Sequence, residues 1–162
     1  MRRRGILVRK IFKDNILSSI IIAEELAREL KEFQEKRLKE IAIKGLICKT
    51  KFKRKYNENI RGIYDILTLS NVRGKLREMS IVTDSKNFML ELVVDNFKFY
   101  NDTWDKLSTM SNYSELIDAF EYDGNYVLRI GEAYFNKSLI LRIQALKSLT
   151  IKQLIVVYDI CQ

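Results

Sequence analysis

The sequence predicts an α+β chain: a long N-terminal helix followed by an antiparallel β-sandwich or jelly-roll-like domain. Two changes of period carry this. Apolar residues recur at helical spacing from Ile16 to Ile41, and beyond Ile43 the spacing switches to two. From there to the C-terminus, short alternating runs separated by turn residues follow one another, the rhythm of an antiparallel sandwich.

Three segments follow from this reading. Residues 1–13 form a basic arm, with Arg2, Arg3, Arg4, Arg9 and Lys10 as its charged groups. Such an arm binds nucleic acid or lies across a neighbouring subunit. Residues 14–43 form the helix. Asp14 or Asn15 serves as its N-cap, and Ile16, Ile20, Ala23, Ala27 and Leu30 make one stripe. The pairs Glu24–Arg28, Arg28–Glu32, Glu32–Lys36 and Glu35–Lys39 lace its outer face. At about 1.5 Å per residue the helix would reach ~40 Å, long enough to overhang a small domain and touch a second subunit.

Residues 44–162 form the β domain. Leu46, Cys48, Thr50, Phe52 and Arg54 alternate with Ile47, Lys49, Lys51, Lys53 and Lys55, a strand with one strongly basic face. Lysines on such a strand also guard an edge. Tyr56–Asn59 reads as a turn. Strands follow at 63–70 and 75–83, separated by a turn at Asn71–Gly74, and then at 87–95 after an Asp84–Asn87 hairpin. Thr103 and Ser111 or Asn112 are caps for short helices over 103–110 and 112–120. Asp123-Gly124 marks a hairpin. Residues 138–145 and 150–160 complete the sheet, the last strand central because it is apolar on both faces.

Composition bounds the chemistry. Of 162 residues, 47% are apolar, enough for a core without staples. There is no histidine, which removes Ser-His and Cys-His nucleophiles, imidazole acid/base work and His-ligated zinc. Two cysteines, Cys48 and Cys161, cannot form a four-thiolate zinc site; free thiols are the ordinary reading, and a bridge between them is open. No run approaches the ~20 apolar residues of a membrane span, and charges interrupt the N-terminal mimic of a signal peptide. The expected location is a virion or the cytoplasm of a host cell. Abundant Lys, Glu and Ile fit a thermophile or an AT-rich genome.

The formal net charge of +8 is unevenly placed. Residues 1–13 hold six cations and no acid; residues 49–61 hold six cations against Glu58 alone. Residues 88–135 hold nine acids against Lys98, Lys106 and Arg129. A chain so divided can bring its basic part to an anionic polymer, or to the acidic part of another copy.

Catalytic motifs are lacking. The six glycines are dispersed and form no phosphate-cradling loop, and there is no nucleophile elbow. Asp102 and Asp105 flank Trp104, and Asp118, Glu121 and Asp123 crowd near Phe120 and Tyr122, a weak pattern for glycoside hydrolysis or Ca²⁺ that matches no EF-hand. Trp104, Tyr113 and Tyr122 are the candidate ligand or partner contacts. The basic candidates are the arm residues together with Lys49, Lys51, Lys53, Arg54 and Lys55, with Phe52 and Tyr56 available for base stacking.

The C-terminal half also carries a resemblance. Gly74-Lys-Leu-Arg-Glu-Met-Ser-Ile-Val-Thr-Asp-Ser-Lys-Asn-Phe88, Val93-Val-Asp95, Gly124-Asn-Tyr-Val-Leu128, Phe135-Asn-Lys-Ser-Leu139 and Leu154-Ile-Val-Val-Tyr158 together resemble, in strand rhythm over residues 74–160, small β-sandwich modules of virus and phage structural proteins. The resemblance implies self-assembly in a capsid, neck or tail, with no catalytic residues to carry over. The expected metal and cofactor are none. The expected partners are copies of the chain or other assembly proteins; a nucleic-acid-binding role for the basic half is the alternative.

Overall fold

A computed structural model describes residues 47–162 and, upstream, Glu25, Arg28, Glu29 and residues 31–36. Eight strands and one helix make up the continuous part: β1 (Cys48–Ser70), β2 (Arg73–Thr83), β3 (Phe88–Val94), β4 (Phe97–Thr103), α1 (Trp104–Ser111), β5 (Ile117–Tyr122), β6 (Asn125–Ile130), β7 (Ala133–Phe135) and β8 (Ser138–Cys161).

All eight strands belong to one antiparallel sheet organised around β8. Along one margin β8 pairs with β1, from Cys48↔Cys161 to Ser70↔Ser138. Along the other it pairs first with β3 (Phe88↔Ala145 to Val94↔Leu139) and then with β2 (Arg73↔Cys161 to Thr83↔Ile151). A straight strand of 24 residues would reach ~80 Å at about 3.3 Å per residue. Here its two ends meet. Gly74 stands between Ile160, near the end of β8, and Phe135, three residues before β8 begins, and the Val72 amide donates to the Lys137 carbonyl at 3.2 Å. The sheet is therefore curled back on itself.

The turning point is visible in the backbone. The β1–β8 register shifts between Ile60 and Gly62, where Gly62 takes φ 69°, a conformation that favours glycine, and the facing residues Leu146, Lys147 and Ser148 are exposed. Inside the curl lie Ile66, Leu76, Met79, Ile81, Phe88, Leu90, Leu92, Leu128, Phe135, Leu141, Ile143, Leu154 and Val156, each fully buried. Alternation builds this core as the sequence indicates: Phe88, Leu90, Leu92 and Val94 on β3 and Leu139, Leu141 and Ile143 on β8 all point inward. Leu107 brings α1 onto the same core.

Two hairpins turn on left-handed residues, the first of them the one the sequence predicts. Asp123 (φ 50°) and Gly124 (φ 67°) link β5 to β6, and Asp95 (φ 51°) and Asn96 (φ 71°) link β3 to β4. The Asp95 carboxylate also accepts backbone N–H bonds from Asn136 (2.8 Å), Lys137 (2.7 Å) and Ser138 (2.9 Å), fixing the turn that starts β8.

Several expectations are corrected. Among the described residues the fold class is mostly β rather than α+β: strands take 70% of them and helix 14%, and no long N-terminal helix is present among them. Of residues 14–43, only Glu25, Arg28, Glu29 and 31–36 are described, and these are helical; the rest lie outside the described residues. The helical stripe and charge pairs are local preferences, and a helix gains most of its stability from packing; here Phe33 is its described anchor, edge-on to Phe99 at 5.6 Å. Tyr56–Asn59 is no turn, because the ladder to β8 carries β1 straight through it, from Tyr56↔Gln153 to Glu58↔Ile151. Asp84–Asn87 does not close a hairpin, since β2 and β3 each pair with β8 and not with one another. A second helix over 112–120 is replaced by β5, which pairs with β6 from Ile117↔Ile130.

Candidate partner-binding surface

The N-terminal half of β1 is the most exposed strand segment among the described residues. From Cys48 to Asn59 only Lys53 and Glu58 are even half-buried. Its inner partner is β8 and, among the described residues, nothing pairs with its outer rim. The two faces differ in chemistry. Lys49, Lys51, Lys53 and Lys55 stand on one, opposite Ile160, Tyr158, Val156 and Leu154. Phe52, Arg54 and Tyr56 stand on the other, opposite Val157, Ile155 and Gln153. Phe52 is 63% and Tyr56 58% exposed, so these rings contribute little to the core. The Arg54 guanidinium lies 6.0 Å from the centre of the Phe52 ring.

Among the described residues, few of these cations are neutralised. Lys55 is 3.6 Å from Glu58, and Lys53 Nζ donates to the Ile66 carbonyl at 2.5 Å, tying the two arms of the curled strand. Lys49 and Lys51 line a shallow groove with Ile47, Ile160 and Gln162. Arg2, Arg3, Arg4, Arg9 and Lys10 lie outside the described residues.

At one end of β1, two features hold the strand. Ile47 and Gln162 exchange both backbone hydrogen bonds (3.1 and 3.0 Å), which makes the next pair, Cys48 and Cys161, a non-bonded pair with close side chains. These two cysteines form a disulfide, where the ordinary reading had free thiols. Beside it, Asp159 is 5% exposed near the end of β8. Its carboxylate accepts the Thr50 hydroxyl at 2.7 Å and Arg77 Nε at 2.7 Å. Burial pushes the Asp159 carboxyl up; the Thr50 hydroxyl and the Arg77 guanidinium, helped by Lys75, outweigh burial and hold it below the usual carboxylate range. Lys75 pairs with Glu132 and lies 5.0 Å from the centre of the Tyr134 ring. A single acid inside the apolar run Leu154–Cys161 is the sequence signal that could have revealed this cluster.

The opposite margin of this half of the sheet is β5, reached from β1 through β8, β2 and β6. It is acidic. Glu115, Asp118, Glu121 and Asp123 are exposed there, with Asp118 3.8 Å from Arg129. Its rim is covered by α1: the hydroxyls of Ser108 and Ser111 donate to the Ala119 carbonyl at 3.1 and 3.3 Å. Asp105 is 2.9 Å from Lys86 and Asp102 3.4 Å from Lys106, so both acids flanking Trp104 already hold cations. Trp104 is only 7% exposed and stands edge-on to Tyr126 at 5.1 Å; its indole N–H has no partner among the described residues. It is a core ring rather than a contact ring. Tyr113 and Tyr122 are 45% and 71% exposed. Tyr113 follows the far end of α1 from Trp104, so the three candidate rings form no single patch.

Among the described residues, no helix is long and apolar enough to cross a membrane, and no three Cys, Asp or Glu side chains gather as a metal-binding group. Compared with protein-family models and with curated proteins, the chain matches none.

Proposed function

We propose that this protein is a non-enzymatic assembly component, of the kind that builds capsids, necks or tails, and that it associates with copies of itself or with other assembly proteins through β1. The observation that carries this is the opposite charge of the two margins of one sheet. Lys49, Lys51, Lys53, Arg54 and Lys55 crowd one margin, and Glu115, Asp118, Glu121 and Asp123 the other. Two such margins on one body allow head-to-tail contact, which repeats into a ring or a stack. The exposed Phe52 and Tyr56 add apolar area at the basic margin. The disulfide is consistent with this setting, because such bridges persist on virion surfaces and in other oxidising surroundings.

Charge reversal tests the reading. Lys51→Glu with Lys53→Glu abolishes association of the variant with itself. Adding Glu121→Lys with Asp123→Lys to that variant restores association. If the first pair of substitutions leaves association unchanged, the margins are not the contact.

A second reading has one observation in its favour. Phe52 and Tyr56 are exposed on the same strand as Lys49, Lys51, Lys53, Arg54 and Lys55, the combination that stacks bases and follows a phosphate backbone. Titrating labelled single-stranded DNA or RNA at several salt concentrations tests it. Affinity that falls steeply with salt and is lost in Phe52→Ala supports nucleic-acid binding; no binding at low salt removes it.

A further inference from the structure

We propose that the outer rim of β1, from Cys48 to Ile60, accepts an extended acidic segment of another protein as an added strand. This rests on the reading of β1 as the contact surface and gives that contact its chemistry.

The main chain supplies the first argument. In an antiparallel ladder the residues that exchange hydrogen bonds alternate with residues whose N–H and C=O point the other way. Ile47 and Gln162 exchange both bonds, so Lys49, Lys51, Lys53 and Lys55 also bond to β8. The N–H and C=O groups of Thr50, Phe52, Arg54 and Tyr56 therefore face the rim, and among the described residues no strand stands beside them. A row of such groups is a template for one more strand.

The side chains choose the occupant. An added strand would place every second residue beside Lys49–Lys55 and the others beside Phe52 and Tyr56, so carboxylates alternating with apolar residues fit both faces. A second copy of β1 does not fit, because antiparallel pairing about Arg54 would set lysine against lysine. The neighbouring copy's β5 does not fit as a strand either, because α1 covers its rim at Ala119. With β1 and β5 of a second copy unsuited, the occupant proposed is a strand from a different chain, and it competes with head-to-tail contact between copies.

A short synthetic peptide alternating glutamate and valine is the probe. Binding to the intact protein is measured together with amide hydrogen exchange. The account expects the amides of Thr50, Phe52, Arg54 and Tyr56 to slow by about tenfold or more on binding, while those of Lys51, Lys53 and Lys55 hold their existing protection. It also expects N-methylation of one alternate set of peptide residues to abolish binding and N-methylation of the other set to leave it intact. Lys51→Glu with Lys53→Glu loses the peptide. Binding without amide protection, or with both methylated peptides equally, overturns strand addition while leaving β1 as a charged contact surface. If neither the peptide nor a second copy binds, both proposals fall.

Discussion

A β-carbon on Gly74 would stand 2.0 Å from the backbone carbonyl oxygen of Asp159 and 2.7 Å from Cζ of Phe135. Gly74 is the place where β2 passes between the end of β8 and β7, so the closing of the curl depends on the missing side chain. Gly74→Ala is expected to destabilise the fold by about 1–3 kcal/mol, since backbone must move to admit the methyl group. Urea unfolding measures this; an unchanged midpoint would show that the seam has slack.

Asp159 predicts a dependence on acid. Its carboxyl is held below the ordinary value in the fold. The stability it adds is therefore complete above its unfolded value, about 3.9, and is lost as pH falls through the folded one. Urea midpoints across acidic pH should fall more steeply for the natural protein than for Asp159→Asn. Above about pH 5 the variant should be the weaker of the two, because Arg77 and Thr50 lose a charged acceptor. Parallel curves would remove Asp159 as a source of the slope.

The Cys48–Cys161 bridge joins residues 113 apart in sequence. Closing so long a loop restricts the unfolded chain, and its loss is expected to cost about 2–5 kcal/mol. Cys48→Ser with Cys161→Ser should therefore melt at a lower temperature. A dithiol reductant should lower the melting temperature of the natural protein towards that value and leave the variant unchanged. A natural protein indifferent to reductant would show that the bridge adds nothing.

Much of this was legible in the residues, and the failures share a cause. Alternation in Phe88–Val94 and Leu139–Ala145 gave the inward faces, and Asp123-Gly124 gave a hairpin, because both signals are local. The pairing of strands is not local. Asn71–Gly74 has turn composition, yet the chain uses it to carry β2 to the far margin of β8. The same limit applies to Tyr56–Asn59, where pairing with β8 overrides turn preference. For the surface, alternation placed Lys49–Lys55 on one face of a strand. It gave no sign that Trp104 is buried, because ring exposure depends on what packs against it, here Tyr126 of β6. Asp159 and Thr50 are 109 residues apart, and nothing local to either marks the contact.

The most direct test of the central claim is the native mass of the protein by sedimentation, as a function of concentration at low and at high salt. The account predicts association that grows with concentration at low salt and collapses towards the 19.2 kDa single chain as salt screens the two margins. A single-chain mass at every concentration in low salt, or association that salt leaves untouched, would contradict it.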